Sequence, residues 1–148
     1  MSQKSDKALD LFIGGQFCSQ AVLSTFCDDL DLPPALALKI ASGFGGGMGR
    51  MGETCGAVTG AFIALGLHDW QAESASVEEK AKVNERVRDF TARFKANHGS
   101  ITCRDLLGCD ISQPQGAKDA ADKGVFVSVC RPLVEDAVQI LEQMMEEQ

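Results

Sequence analysis

Between residues 77 and 94, Val83, Val87, Phe90 and Phe94 recur at intervals of three and four among charged residues. This spacing predicts a long amphipathic helix, reinforced by the i,i+4 pairs Glu78–Lys82 and Asp89–Arg93. The same period predicts a short helix over 5–13 that stops at Gly14 and Gly15, and a second over 18–30 with Cys18, Val22 and Phe26 on one face. Pro33 and Pro34 open a third, to about residue 42. Further helices are predicted over 54–67, from Ser100 or Thr102 to Leu107, and over 129–145, where Pro132 is tolerated only in the first turn. Residues 113–116 read as a turn-rich connection.

Apolar β-branched residues rarely alternate with polar ones, so no strand pattern emerges. The chain therefore reads as an all-α, single-domain bundle of about six to seven helices over 1–148. The segment 43–52, GFGGGMGRMG, is too glycine-rich for a regular helix and forms a loop ahead of the helix that carries Cys55. In that helix Gly56, Ala57, Gly60, Ala61 and Ala64 form a surface of small residues that lets another helix come close.

With 148 residues the chain is long enough to bury a core without disulfide staples. Its 45% hydrophobic and 24% charged composition excludes a disordered chain. A formal net charge of −7 repels nucleic acid and anionic lipid, so neither is an expected partner. The N-terminal residues lack the basic-then-apolar pattern of an export signal, and the most apolar stretch, 57–67, is too short to span a membrane. A cytoplasmic location is expected, where six cysteines point to redox chemistry or metal binding rather than to a disulfide framework.

Cys18, Cys55, Cys103 and Cys130 all fall in or beside the first turn of a predicted helix. Unpaired N–H groups and the helix dipole place partial positive charge there, which lowers a thiol pKa and suits a nucleophile or a thiolate ligand. These four are the candidate catalytic residues and equally the candidate metal ligands. Cys27 and Cys109 lie toward helix ends and read as packing residues. Gly52 and Gly56 flank Cys55 and are the candidate cofactor-binding positions, where backbone can approach closely. Four thiolates suit an iron–sulfur cluster or zinc, and they equally suit disulfide exchange.

Other signals weigh less. Gly47, Gly49 and Gly52 spell G-x-G-x-x-G, but no strand precedes them, so a dinucleotide site is not expected. Arg50 lies outside any phosphate-loop context. His68 and His98 sit at predicted helix ends, where imidazole faces solvent or caps carbonyls. The absence of Cys-x-x-Cys argues against a thioredoxin-like dithiol and a zinc ribbon.

Four stretches, CSQAVL from Cys18, MGRMGETCGAVTGA from Met48, CRDLLG from Cys103 and the segment opening at Cys130, together resemble the redox-active family named C_GCAxxG_C_C. The central match reads Cys-Gly-Ala-x-x-Gly over Cys55, Gly56, Ala57 and Gly60, with Cys and Gly in the opposite order to the family name. The resemblance implies an all-helical redox protein whose signature cysteines are Cys18, Cys55, Cys103 and Cys130, with an iron–sulfur centre among the cofactors of related domains. Three readings follow: a thiol redox or electron-transfer protein with an unknown redox partner, a cofactor-free helical interaction module with buried cysteines, or an enzyme with one nucleophilic cysteine and backbone N–H donors from the glycine loop. A homodimer is expected, because the small-residue helix and the 77–94 stripe present more apolar surface than short helices cover.

Overall fold

A computed structural model describes residues 2–147. Those residues form helices α1 (Gln3–Ile13), α2 (Cys18–Thr25), α3 (Pro34–Ala41), α4 (Gly56–Asp69), α5 (Val77–His98), α6 (Cys103–Leu107), α7 (Pro114–Lys123), α8 (Val125–Ser128) and α9 (Cys130–Glu146). A 3-10 turn, Ser42–Phe44, leads from α3 into the glycine loop. The all-helical expectation holds, and no strand is present among the described residues. None of the described helices is long and apolar enough to cross a membrane.

Local chemistry accounts for most boundaries. Ser2 caps α1 through a reciprocal pair, accepting from the Ser5 N–H while its own N–H donates to the Ser5 hydroxyl. Ser76 accepts from the Glu79 N–H at the start of α5, and Gly99 ends that helix at φ +85°. Helix α2 stops at Thr25, earlier than its apolar spacing suggests; Phe26 leaves the helix at φ −102°, ψ 13° while its side chain stays in the core. Helices α7 and α8 are additional to the helices read from sequence. Pro114 occupies the first turn of α7, where its missing N–H costs nothing. Gly116 lies against the Asp110 carbonyl, so the glycine that reads as a turn signal is instead a packing residue inside a helix.

Helix α2 runs through the middle of the molecule, against α1, α3, α4 and α9. The main core joins Val22, Leu23 and Phe26 to Val58 and Leu65 of α4, Phe90 and Phe94 of α5, and Val134, Val138, Leu141 and Met144 of α9. Ala57, Ala61 and Ala64 are fully buried, so the small face of α4 is covered within the chain. The α5 stripe is turned inward too, with Phe90 stacked on Phe94 at 5.9 Å between centroids and edge-on to Phe62 at 6.0 Å. Buried Asp69 is reached by the Arg86 Nε at 2.7 Å, and the same guanidinium donates to the Met144 carbonyl at 2.9 Å, tying α4, α5 and α9 together. A smaller cluster of Cys103, Leu107, Ile111 and Ala120 packs α6 and α7 beside Val125 and Phe126.

Candidate functional site

The glycine loop holds the site together by an uncommon backbone. Five successive residues, Gly46, Gly47, Met48, Gly49 and Arg50, have φ between +62° and +70°, and Gly52 follows at +73°. L-residues pay roughly 1–2 kcal/mol each in this region, so the glycines make the turn affordable and Met48 and Arg50 carry its strain. The turn is closed by the Arg50 N–H donating to the Gly45 carbonyl and the Glu53 N–H donating to the Gly47 carbonyl.

Beyond the turn, the chain pairs briefly with the segment before α6. Cys55 N–H donates to the Ile101 carbonyl at 2.7 Å, Cys103 N–H to the Glu53 carbonyl at 2.6 Å and Arg104 N–H to the Gly52 carbonyl, about a single antiparallel bridge between Thr54 and Thr102. This short pairing sets Cys55 beside Cys103, although 47 positions separate them. Cys18 joins them because α2 crosses α4 at glycines: the position of a Gly56 Cβ would meet the Cys18 Sγ, and that of a Gly60 Cβ lies 2.6 Å from the Ser19 carbonyl oxygen. Gly47 likewise gives room to the Cys103 Cβ. The loop thus passes close to Cys103.

Cys18, Cys55, Cys103 and Cys130 line one cavity of about 120 Å³. Gly46, Gly47 and Gly56 supply backbone to its wall; Gly52 is outside the lining, its space taken by the Arg104 side chain. The rest of the wall is mainly apolar and includes Phe12, Leu107, Ile111, Phe126 and Leu133. Cys27 sits in the main core and Cys109 beside the smaller cluster, both away from the cavity. The histidines are elsewhere as well. His68 Nδ1 is 2.7 Å from the Asp69 carboxylate, and His98 Nε2 is 2.6 Å from that of Asp136. They pair with carboxylates, where solvent or carbonyl caps were expected.

The helix-start placement of the four cysteines holds. Cys18 and Cys103 open α2 and α6, and Cys55 is the N-cap of α4. Cys130 opens α9 but follows α8 through Val129, whose backbone is already helical. The expected lowering of their pKa does not hold. Burial raises all four thiols: Cys103 is pushed up to about 11 and Cys130 to about 12, with the Cys18 charge adding to both, and Cys55 is raised furthest. Desolvation in an apolar pocket outweighs the helix dipole here.

Cys18 differs from its neighbours. Burial raises it too, while the nearby backbone N–H groups of Gly46, Ser19, Cys18 and Gly56 act in the opposite direction. Its charge raises the other three. Two wall residues carried no clear sequence signal. Arg50 is an exposed cation 5.8 Å from the Phe126 ring centroid, and Gln16, also in the wall, has a buried Oε1 with no hydrogen-bond partner among the described residues. Neither lies in a recognisable motif.

All six cysteines are free thiols. Four thiolates are suitable donors for zinc or an iron–sulfur cluster, but among the described residues no group of three or more His, Cys, Asp or Glu side chains is disposed to hold a metal ion.

No curated protein and no solved structure matched the chain. A family model described as "Putative redox-active protein (C_GCAxxG_C_C)" matches residues 16–144, a span that includes all four cavity cysteines. The chain belongs to the C_GCAxxG_C_C family of redox-active proteins.

Proposed function

We propose that the protein is a thiol-based redox protein that exchanges disulfides through the four-cysteine cavity, with Cys18 as the attacking thiol. The observation that carries this reading is the meeting of four thiols from separate segments in one cavity. Backbone N–H groups near the Cys18 sulfur favour its thiolate against the burial that raises it. Cys18 and Cys130 are also only partly buried, whereas Cys55 and Cys103 are 7% and 8% exposed. Cys55, Cys103 and Cys130 supply the resolving thiol, and the partner supplies the disulfide that is reduced.

The interaction-module reading draws support from the burial that raises every cavity thiol. Single Cys→Ser variants treated with a disulfide reagent at pH 8 separate the two. Cys18→Ser is expected to slow oxidation of the cluster roughly tenfold or more, with Cys27→Ser and Cys109→Ser within about twofold of the parent. Peptide mapping should then find a disulfide within the set Cys18, Cys55, Cys103 and Cys130. Slow, uniform reaction of all six thiols would replace redox exchange with buried packing cysteines. Visible absorbance and stoichiometric iron in anaerobically purified protein would instead restore the iron–sulfur reading.

A cytoplasmic location and a homodimer belong to the same proposal. The surfaces on which the dimer expectation rested are covered inside the chain, so support passes to α3, where Leu36, Leu38 and Ile40 are exposed on one short helix. Light scattering at micromolar concentration should give twice the chain mass of 15.8 kDa. A monomeric mass would remove the dimer.

A further inference from the structure

Residues 109–123, the loop after α6 together with α7, are joined to the rest of the protein by little besides the chain itself. Only Ile111 and Ala120 among them are buried, whereas α9 buries seven of its seventeen residues. The hydrogen bonds and ion pairs that their side chains make among the described residues stay inside the segment, joining Ser112 to Asp110, Gln115 to Asp119 and Lys118 to Asp122. The turn that opens α7 is closed in the same way, by the Gln113 N–H donating to the Asp110 carbonyl. Helix α7 packs chiefly on α8.

The segment begins and ends at a glycine. Gly108 and Gly124 stand at φ +69° and +67°, and beyond the chain neighbours nothing lies within 4 Å of the place a Cβ would take at either. Left-handed backbone costs other residues but not glycine, so both joints turn without strain and with no neighbour to displace.

What the segment covers is one of the cavity thiols. Cys103, Leu107, Ile111 and Ala120 form the smaller cluster, and two of the four belong to 109–123. Ile111 also stands in the cavity wall, whereas Cys55, in the same wall, belongs to the main core. Cys103 at 8% exposure and Cys55 at 7% are therefore equally hidden, but by different parts of the protein. The Cys103 N–H is bonded to the Glu53 carbonyl, so the segment can leave while the thiol stays.

We propose that residues 109–123 are a lid, hinged at Gly108 and Gly124, whose opening uncovers Cys103 while the main bundle stays folded. Segments with few buried apolar contacts open locally, ahead of the core. Here two buried side chains have to be exposed and no polar contact to the rest of the protein has to break. The lid rests on the thiol-exchange reading for its purpose. Exchange needs direct access to sulfur, which a covered thiol does not offer, and opening gives a partner's disulfide that access at Cys103.

Two measurements test this. In the reduced full chain, amide hydrogen exchange of residues 114–123 is expected to run at least about tenfold faster than that of α4, with a weaker dependence on urea. The second follows labelling of Cys103 and Cys55 by a polyethylene-glycol maleimide, in a background where the partly exposed thiols are removed by Cys18→Ser, Cys109→Ser and Cys130→Ser. Under conditions where the lid recloses faster than it is labelled, Cys103 is expected to react ahead of Cys55. Ala120→Gly, in the lid but outside the cavity wall, should speed labelling of Cys103 by about fivefold. Val138→Ala, in the main core, should speed Cys55 by roughly tenfold and leave Cys103 within about twofold. Amides of 114–123 as protected as those of α4, or a Val138→Ala effect equal at the two thiols, overturns the lid, because Cys103 is then reached only when the whole chain unfolds. If the triple-serine background fails to fold, the hydrogen exchange of the parent decides by itself. A lid that opens in a protein that exchanges with no disulfide would keep the lid and remove the exchange reading.

Discussion

Gly60→Ala is expected to destabilise the protein by about 2 kcal/mol while Gly66→Ala, six residues along the same helix, stabilises it by about 0.5–1 kcal/mol. Both glycines lie inside α4, where alanine is the better helix former and shrinks the freedom of the unfolded chain. They differ in what a methyl would meet. At Gly66 there is nothing within 4 Å; at Gly60 the new carbon would stand 2.6 Å from the Ser19 carbonyl oxygen and 3.0 Å from its Cα. Both of those atoms are backbone, and Ser19 is anchored by its hydroxyl donating to the Ala41 carbonyl at 2.8 Å. Helix α2 has to move away, taking Cys18 with it. Urea unfolding of the two variants beside the parent measures the contrast. Equal effects of the two substitutions would mean that the α2–α4 crossing tolerates an extra carbon, and the geometry that brings Cys18 to Cys55 would lose its basis.

Stability is expected to fall steeply above about pH 9, with a loss of about 3 kcal/mol traceable to Cys103 alone. Its thiol titrates near 9.0 when unfolded and is pushed up to about 11 in the fold. Between those values the unfolded chain has lost the proton and the native one keeps it, so rising pH favours unfolding. The contribution is whole below pH 9 and is lost as pH passes through about 11. Cys130, pushed up to about 12, extends the decline, and Cys55 adds in the same direction. The chain has no tyrosine, which removes the usual competing titration from this window. Urea midpoints between pH 7 and pH 11 should decline, and Cys103→Ser should flatten the slope. A parent midpoint that stays level to pH 11 would show that water reaches these thiols freely. The same protection makes Cys103 roughly a hundredfold less ionised at pH 7 than an unfolded cysteine.

Much of the architecture was legible in the chain because it is written in local rules. The 77–94 spacing, the capping residues, the first-turn prolines and the glycine stops each act within a turn or two of helix, and the elements they predicted are present. The same holds for the four helix-start cysteines. Helix α7 escaped notice because Pro114 and Gly116 read as turn signals, whereas Gly116 is needed to let the helix lie on the Asp110 carbonyl, a contact across a chain reversal. The extra length given to α2 failed for a related reason: the apolar spacing continues through Phe26, but the core takes up its ring after the backbone has left the helix.

By itself, then, the sequence determined an all-helical chain, a glycine loop too costly to be helical, and which cysteines begin helices. How those cysteines meet, and in what state, only the tertiary structure decided. Their meeting depends on a two-strand pairing a few residues long and on a helix crossing at two glycines, neither of which leaves a periodic trace. Their protonation turned on the same point. A helix start lowers a thiol pKa through groups one turn away, an effect visible in sequence, while burial raises it through side chains arriving from α1, α6 and α9. Removal from water is a property of the assembled cavity, and in this protein it is the larger of the two effects.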